Sequence, residues 1–309
     1  MSKIRELALR VAYLTLPSLM VVLAAMAVIV ARGEALPISY GKVAGYRDAT
    51  GVSAEDRLAY LATFERALHE ERARNALPRL ERSAALDRVA QAYAEEMASR
   101  RFFDHVSPDG KGPSDRVALH SPDAIIFGVR ENLSYAHSSH PDPVWMRAQR
   151  AHGALMDSPG HRQNILHRDS THVGIGMKSI WRDGVLVDYV VQLFGHDVGT
   201  WTMGRPRRTV ESDRMLLLPI RLTRPDVEFM LDSPDDPHRL YTNLYSNRTL
   251  HFEGSVRLRP DASGANLEVP GLAPGTYAIH ARLKGRTRGW YRVLQFEVEP
   301  APRHAMGAP

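Results

Sequence analysis

The spacing of apolar residues changes twice along this chain. Residues 11–31 carry no charge and are mostly apolar. From Ser53 the spacing becomes helical: Leu58, Leu61, Phe64, Leu68 and Arg72 fall three to four residues apart, and Pro78 ends the run. Ser53 with Asp56 three residues on is a capping-box pattern at its start. Ser83 caps a second helix, whose Leu86, Val89, Ala90, Tyr93, Ala94 and Met97 form an apolar stripe while Asp87, Arg88, Glu95 and Glu96 lie largely off it. Pro141 and Pro143 start a third, through Trp145, Met146, Ala148 and Leu155, which ends at Ser158-Pro159. Glu131-Asn132-Leu133-Ser134-Tyr135 is too short to classify. His172-Val173-Gly174-Ile175-Gly176-Met177 and residues 185–194 then read as paired strands, joined by a hairpin turn at Arg182-Asp183-Gly184. The pattern predicts helices around a small antiparallel sheet.

The last third is patterned differently. Residues 199–213 are polar and basic and read as a linker. Beyond it, 215–222, 227–231, 249–252, 256–258, 266–269, 276–283 and 291–298 read as short strands. Such spacing predicts an all-β sandwich of about 90 residues over 214–300. Gly271-Leu272-Ala273-Pro274-Gly275-Thr276-Tyr277 resembles the turn before a late strand of immunoglobulin-like modules. Trp290, Tyr291 and Phe296 suit either core packing or a binding face. Residues 301–309 read as a tail.

At 1.5 Å per residue, residues 11–31 reach roughly 30 Å as a helix, enough to cross a bilayer. Lys3, Arg5 and Arg10 precede them, which keeps the N-terminus cytoplasmic and sends the remainder outside. Residues 1–35 are thus a transmembrane anchor or a signal segment. Gly33-Glu34-Ala35 is a passable cleavage site and Pro17 a helix breaker, so both readings stand. The expected location is the cell membrane with extracytoplasmic domains, or secretion if the segment is cleaved.

A length of 309 residues suits about two domains, and 44% hydrophobic with 24% charged residues describes globular cores. The net charge of +5 is scattered apart from Arg205-Pro206-Arg207-Arg208, and no stacking or groove-reading motif accompanies it. Nucleic acid is therefore not an expected partner. The absence of cysteine excludes disulfides, thiolate metal sites and cysteine nucleophiles. His69-Glu70-Glu71-Arg72-Ala73 lacks a zincin's second histidine, and no serine-hydrolase elbow, Walker loop or dinucleotide fingerprint is present.

Candidate chemistry gathers at three stretches: Phe103-Asp104-His105-Val106-Ser107-Pro108-Asp109-Gly110, Arg130-Glu131-Asn132-Leu133, and Ser158-Pro159-Gly160-His161-Arg162-Gln163-Asn164-Ile165-Leu166. Pro159 and Gly160 stiffen the corner that carries His161, with Ser158 beside it. His105, Glu131 and His161 together offer two imidazoles and a carboxylate, a set that suits a divalent metal, zinc above all, with an open position for water. A metal there would bring the water's pKa towards about 7 and support hydrolysis. Alternatively, Glu131 braces the histidines and fixes their tautomers. Asn132 is expected to hydrogen-bond to backbone. Ser107 and Ser158 lie near these histidines, but a triad also needs an orienting acid and an oxyanion hole. His120, His137, His140, His152, His167, His172 and His196 have no motif and read as surface or merely hydrogen-bonded residues.

In this order, the pieces resemble a bacterial CAP domain (the cysteine-rich secretory, antigen 5, pathogenesis-related 1 superfamily) without its cysteines. Leu77-Pro78-Arg79-Leu80, Leu86, residues 90–97, the three stretches above, and Gly174-Ile175-Gly176 with residues 189–194 carry the likeness. It covers about residues 55 to 196 and implies a domain over 52–198 with a three-layer α-β-α sandwich and a surface cleft. The whole chain is then α+β: an N-terminal transmembrane or signal helix, the CAP sandwich, and a small C-terminal all-β sandwich. The resemblance also implies a cleft of two histidines and two glutamates that in several members holds a divalent ion. His105, His161 and Glu131 match three of these. Ser158 falls nearest the second glutamate's place, Arg130 replaces a usual glycine, and Leu155 stands where tryptophan is usual. The expected role is a binding or interaction module at the cell envelope, meeting an envelope polymer, lipid or protein. Metal-assisted hydrolysis of peptide or envelope polymer, and lipid or sterol binding, are the alternatives.

Overall fold

The computed structural model describes residues 52–138, 142–202, 209–211, 215–232, 256–261, 264–285 and 289–300. Helix α1 (Ala54–Arg74) starts where the Ser53 side chain accepts from Asp56 N, at 3.0 Å. Its buried stripe is Tyr60, Phe64 and Leu68 with His69 and Arg72, while Leu58, expected on that stripe, is 60% exposed. After the short strand β1 (Glu81–Arg82), helix α2 (Ala84–Arg100) is capped by Ser83, which accepts from Leu86 N. Helix α3 (Pro113–His120), with Pro113 in its first turn, follows the His105 loop and leads into β2 (Ala124–Ser138). Helices α4 (Val144–Asp157) and α5 (Pro159–Ile165) meet at Ser158. The hairpin β3 (His172–Arg182) and β4 (Val185–Trp201) turns at Asp183 and Gly184, both at positive φ (52° and 76°) as a two-residue Asp-Gly turn requires.

Strand β4 is the axis of the sheet. It pairs antiparallel with β3 on one side and with β2 on the other, and β1 adds in parallel to β3. Its side chains alternate between two cores. Val187, Tyr189, Val191 and Leu193 face the α2 stripe and Val117 of α3. Val190 and Phe194 face Tyr60, Phe64, Ala148, Leu155 and Ile165 from α1, α4 and α5. This is the expected three-layer sandwich. Gly174 and Gly176 let α2 lie directly on β3: an added Cβ would fall 2.3 Å from Leu86 C and 2.2 Å from Ala90 C.

The remaining strands are β5 (Thr209–Glu211), β6 (Leu216–Leu222), β7 (Val227–Asp232), β8 (Arg257–Asp261), β9 (Gly264–Val269), β10 (Gly275–Leu283) and β11 (Tyr291–Glu299). The sequence reading separated this module by a linker, and here the structure differs. Pairing of β3 with β4 ends at His172↔Gly195, and β6 takes up β4 again at Gly199↔Leu222 through Trp201↔Ile220. One seven-stranded sheet thus runs from the α-β-α layers into the β module, and a four-stranded sheet, β5-β11-β10-β7, covers its end. The shared core explains why: Ile125, Phe127, Val198 and Trp201 are buried with Leu218, Ile220, Leu267, Ile279 and Phe296. Tyr291 stacks on Phe127 at 5.5 Å, so it and Phe296 serve packing. Tyr277 donates its hydroxyl to Ala273 O, pinning the turn before β10. Among the described residues no helix is long and apolar enough to cross a membrane. The expected span at 11–31, the strand at 249–252 and the tail lie outside the described residues.

Candidate functional site

The candidate residues meet around the outer edge of β2. Glu131 lies opposite Leu193 and so points into the α2–α3 layer, while Asn132 lies opposite Gln192 and points towards α4 and α5. His105 comes from the loop between α2 and α3, and His161 from the first turn of α5. Each reaches the same strand edge from its own layer. Their ring centroids are 6.4 Å apart, with the planes at 44°. His105 Nδ1 lies 2.9 Å from Glu131 Oε1. The other carboxylate oxygen, Oε2, accepts from Arg116 at 2.6 Å, an ion pair in which both side chains are almost wholly buried.

Sequence reasoning missed Arg116. Its guanidinium sits 3.3 Å from the Tyr93 ring centroid and also donates to His105 O and Lys111 O. One buried cation therefore holds the acid and both ends of the histidine loop. The loop tightens further through Ser107 Oγ to Asp109, Lys111 N to Ser107 Oγ, and Tyr93 OH to Asp104 O. No motif marks this arginine. The one available signal is its place inside a Pro-started helical turn beside Val117, where an unpaired arginine would be costly to bury.

His161 is fixed from the other layer. Asn132 Nδ2 donates to His161 O and Gln192 Oε1, and Asn164 Nδ2 donates to Glu131 O and Asn132 Oδ1. The asparagine after the acid thus clamps α5 to the strand. Ser158 caps the corner through its backbone, accepting from Arg162 N, and makes no side-chain cap bond. Gly160 is exposed and an added Cβ would touch nothing, so the stiffness of the corner comes from Pro159 and the helix start rather than from the glycine. The left-handed position lies at Gly128 (φ +65°), beside the β2 irregularity between Phe127 and Arg130; Arg130 itself reaches His167 Nε2 at 2.9 Å.

The two imidazoles are pushed in opposite directions. Hydrogen bonding to Glu131 raises the His105 pKa above 6.5, outweighing partial burial. Burial lowers that of His161, and the charge on His105 adds to the effect. His105 therefore holds its proton more tightly than His161 does. Groups split in this way can divide acid and base roles.

A three-ligand zinc site does not fit these residues. Both Glu131 oxygens are already engaged, one by His105 and one by Arg116. Among the described residues no group of three His, Cys, Asp or Glu side chains is arranged to hold a metal ion. Glu131 holds His105 through one oxygen and Arg116 through the other. Of the histidines without a motif, His196 and His152 are buried, His172 is partly buried against Thr171, and His167 meets Arg130.

The family model "CAP: Cysteine-rich secretory protein family" matches residues 65–194. The uncharacterized protein YkwD of Bacillus subtilis (strain 168) is 31% identical over 114 residues, covering 36% of this chain and 40% of that protein. The uncharacterized membrane protein YlbC of the same organism is 30% identical over 106 residues, covering 34% of this chain and 28% of that protein. The match thus spans less than half the length of either relative. An outer surface protein from Borrelia burgdorferi is 24% identical, covering 47% of this chain and 94% of that one, with a TM-score of 0.36. An extracellular SCP-domain protein from Bacillus anthracis is 21% identical, covering 51% and 45%, also with a TM-score of 0.36. Family match and motif order agree over this part of the chain: residues 65–194, somewhat under half of its length, are a CAP domain.

Proposed function

We propose that the neighbouring imidazoles of His105 and His161 form a recognition site and that the chain is a binding module at the cell envelope. The observation that carries this reading is the commitment of Glu131: with both oxygens bonded, the acid orients His105 instead of reacting. His105 Nδ1 donates inwards, which leaves Nε2 as a cationic donor at a half-exposed ring (52% side-chain exposure). His161 supplies a neutral imidazole beside it. A ligand that carries a carbonyl or carboxylate oxygen next to an N–H or O–H would satisfy both. The apolar stretch at 11–31 behind a basic N-terminus, and the membrane designation of the relative YlbC, support an envelope location. Calorimetric titration of the full-length chain with small peptides and envelope-polymer fragments tests the reading. Binding should be lost in His105→Ala and fall above the His105 pKa; binding unaffected by His105→Ala and His161→Ala would overturn it.

The opposed pKa shifts favour one second reading, metal-free hydrolysis. His161 would take a proton from water as its oxygen attacks a carbonyl carbon, and the His105 imidazolium would give its proton to the departing amine. Water is the nucleophile in this reading, because Ser107 is 3% exposed. Turnover with a bell-shaped pH profile, lost in His161→Ala, would support hydrolysis; binding without turnover leaves the recognition reading.

A further inference from the structure

The main chain of β2 continues beyond the histidines as an edge. Among the described residues its only strand partner is β4. Which residues face outward follows from the ladder. Gly195 O accepts from Thr171 N, so odd-numbered β4 residues turn their backbone groups towards β3. Their β2 partners Glu131, Leu133, Tyr135 and His137, opposite Leu193, Val191, Tyr189 and Val187, therefore turn theirs away from β4. Independently, Asn164 reaches Glu131 O from the outside. At Glu131 the edge is capped in this way by a side chain, and Leu133 is 4% exposed. At Tyr135 and His137 the residues are exposed, and no backbone hydrogen bond from another described segment reaches them.

This stretch lacks the usual protection of an edge: residues 132–138, Asn-Leu-Ser-Tyr-Ala-His-Ser, contain no lysine, no proline and no acid. Beside it stands an exposed apolar ledge. Phe103 (46% exposed) packs on Tyr135 (42% exposed) at 5.4 Å, and Tyr135 rests on Tyr189 at 5.1 Å. Phe103 belongs to the same loop as His105, so ledge, edge and histidines adjoin.

We propose that the ligand of this cleft is an extended polypeptide segment, which adds as a strand to the β2 edge at Tyr135 and His137 and runs on past His105 and His161. Outward N–H and C=O groups repeating every second residue are complementary to another extended main chain, and to neither a sugar nor an acyl chain. Alternate side chains of the segment would lie on the Phe103–Tyr135 ledge, which selects β-branched or aromatic residues at every second position. Where the segment leaves the ledge, a peptide carbonyl would meet the cationic donor of His105. This proposal rests on the recognition reading and names its ligand class.

The test uses the full-length chain and the blocked peptide acetyl-Thr-Val-Thr-Val-Thr-amide, with a copy N-methylated at alternate residues. Binding should slow amide hydrogen exchange at Tyr135 and His137 while leaving Ser134 and Ala136, already turned to β4, unchanged. His137→Pro removes one outward donor on an edge where proline is tolerated, and should weaken binding at least about fivefold with the thermal midpoint retained. The N-methylated peptide should fail to bind. Equal binding of the two peptides, or protection confined to the histidine loop, would overturn strand addition while leaving the histidine reading intact. Exchange protection without peptide that vanishes on dilution would also overturn it, because the edge would then be filled by a second copy of the chain. Undiminished peptide binding and edge protection in His105→Ala would support strand addition while overturning the histidine reading.

Discussion

Removing the Arg116 guanidinium would leave the Glu131 carboxylate buried beside a single half-exposed imidazole. Breaking one side of a buried pair costs about 3–5 kcal/mol, so Arg116→Met should destabilise the protein by that order in denaturant unfolding. Glu131→Gln keeps hydrogen-bonding groups at both neighbours but leaves the buried Arg116 cation without its anion, so it too is destabilising. It should also bring the His105 pKa down towards 6.5, since the bond to Glu131 is the largest cause of the rise. The contribution of His105 to stability is complete below its unfolded pKa and is lost as pH rises through its elevated folded value. His161 behaves oppositely: its depressed pKa makes the fold lose stability as pH falls below 6.5. His105, Glu131 and His161 could be picked from the sequence because each stands in a motif. Arg116 could not, because what it does depends on contacts with Tyr93, His105 O and Glu131 that only the folded chain brings together.

Among the elements, α1, α2 and α4 and the β3–β4 hairpin were readable in advance, since Ser53, Ser83, Pro143 and Asp183-Gly184 mark their ends chemically. Strand β2 was not. Its buried residues Ile125, Ile126, Phe127, Glu131, Asn132, Leu133 and Ser134 follow neither a period of two nor one of 3.6, because the strand is irregular at Gly128 and changes cores along its length. Glycines 174 and 176 entered as family motif residues and acquire a physical reason: they are the floor on which α2 lies. Gly176→Ala should cost about 1–3 kcal/mol or more, because the obstruction is Ala90 backbone and not a movable side-chain tip. Thermal melts would check it. His152 on α4 is a second element-level prediction. It is buried against Phe64, neither ring nitrogen has a protein partner among the described residues, and burial lowers its pKa. His152→Leu should flatten the fall in thermal midpoint between about pH 7 and pH 5, where an ordinary imidazole would take up a proton. An unchanged slope would assign that fall to other groups.

At the scale of the molecule, the shared strand β4 makes the CAP layers and the β module one structural unit. A boundary at 198 looked plausible because residues beyond Trp201 turn polar and basic, and polarity says nothing about strands that continue by pairing. Val198 and Trp201 are buried in the C-terminal core, so cutting the chain after Val198 would expose Ile125 and Phe127 to water. The full chain should unfold in a single calorimetric transition over the described region, and two separated transitions would show independent modules.

The central claim is that Glu131 ties His105 into a cationic donor while His161, 6.4 Å away, remains a neutral base. The most direct measurement is an NMR titration of the ring nitrogens of His105 and His161 in the full-length chain, repeated in Glu131→Gln. His105 should titrate above 6.5 and His161 below it, with only the first moving down substantially in the variant. Two histidines titrating together at an ordinary value, or a His105 indifferent to Glu131→Gln, would contradict it.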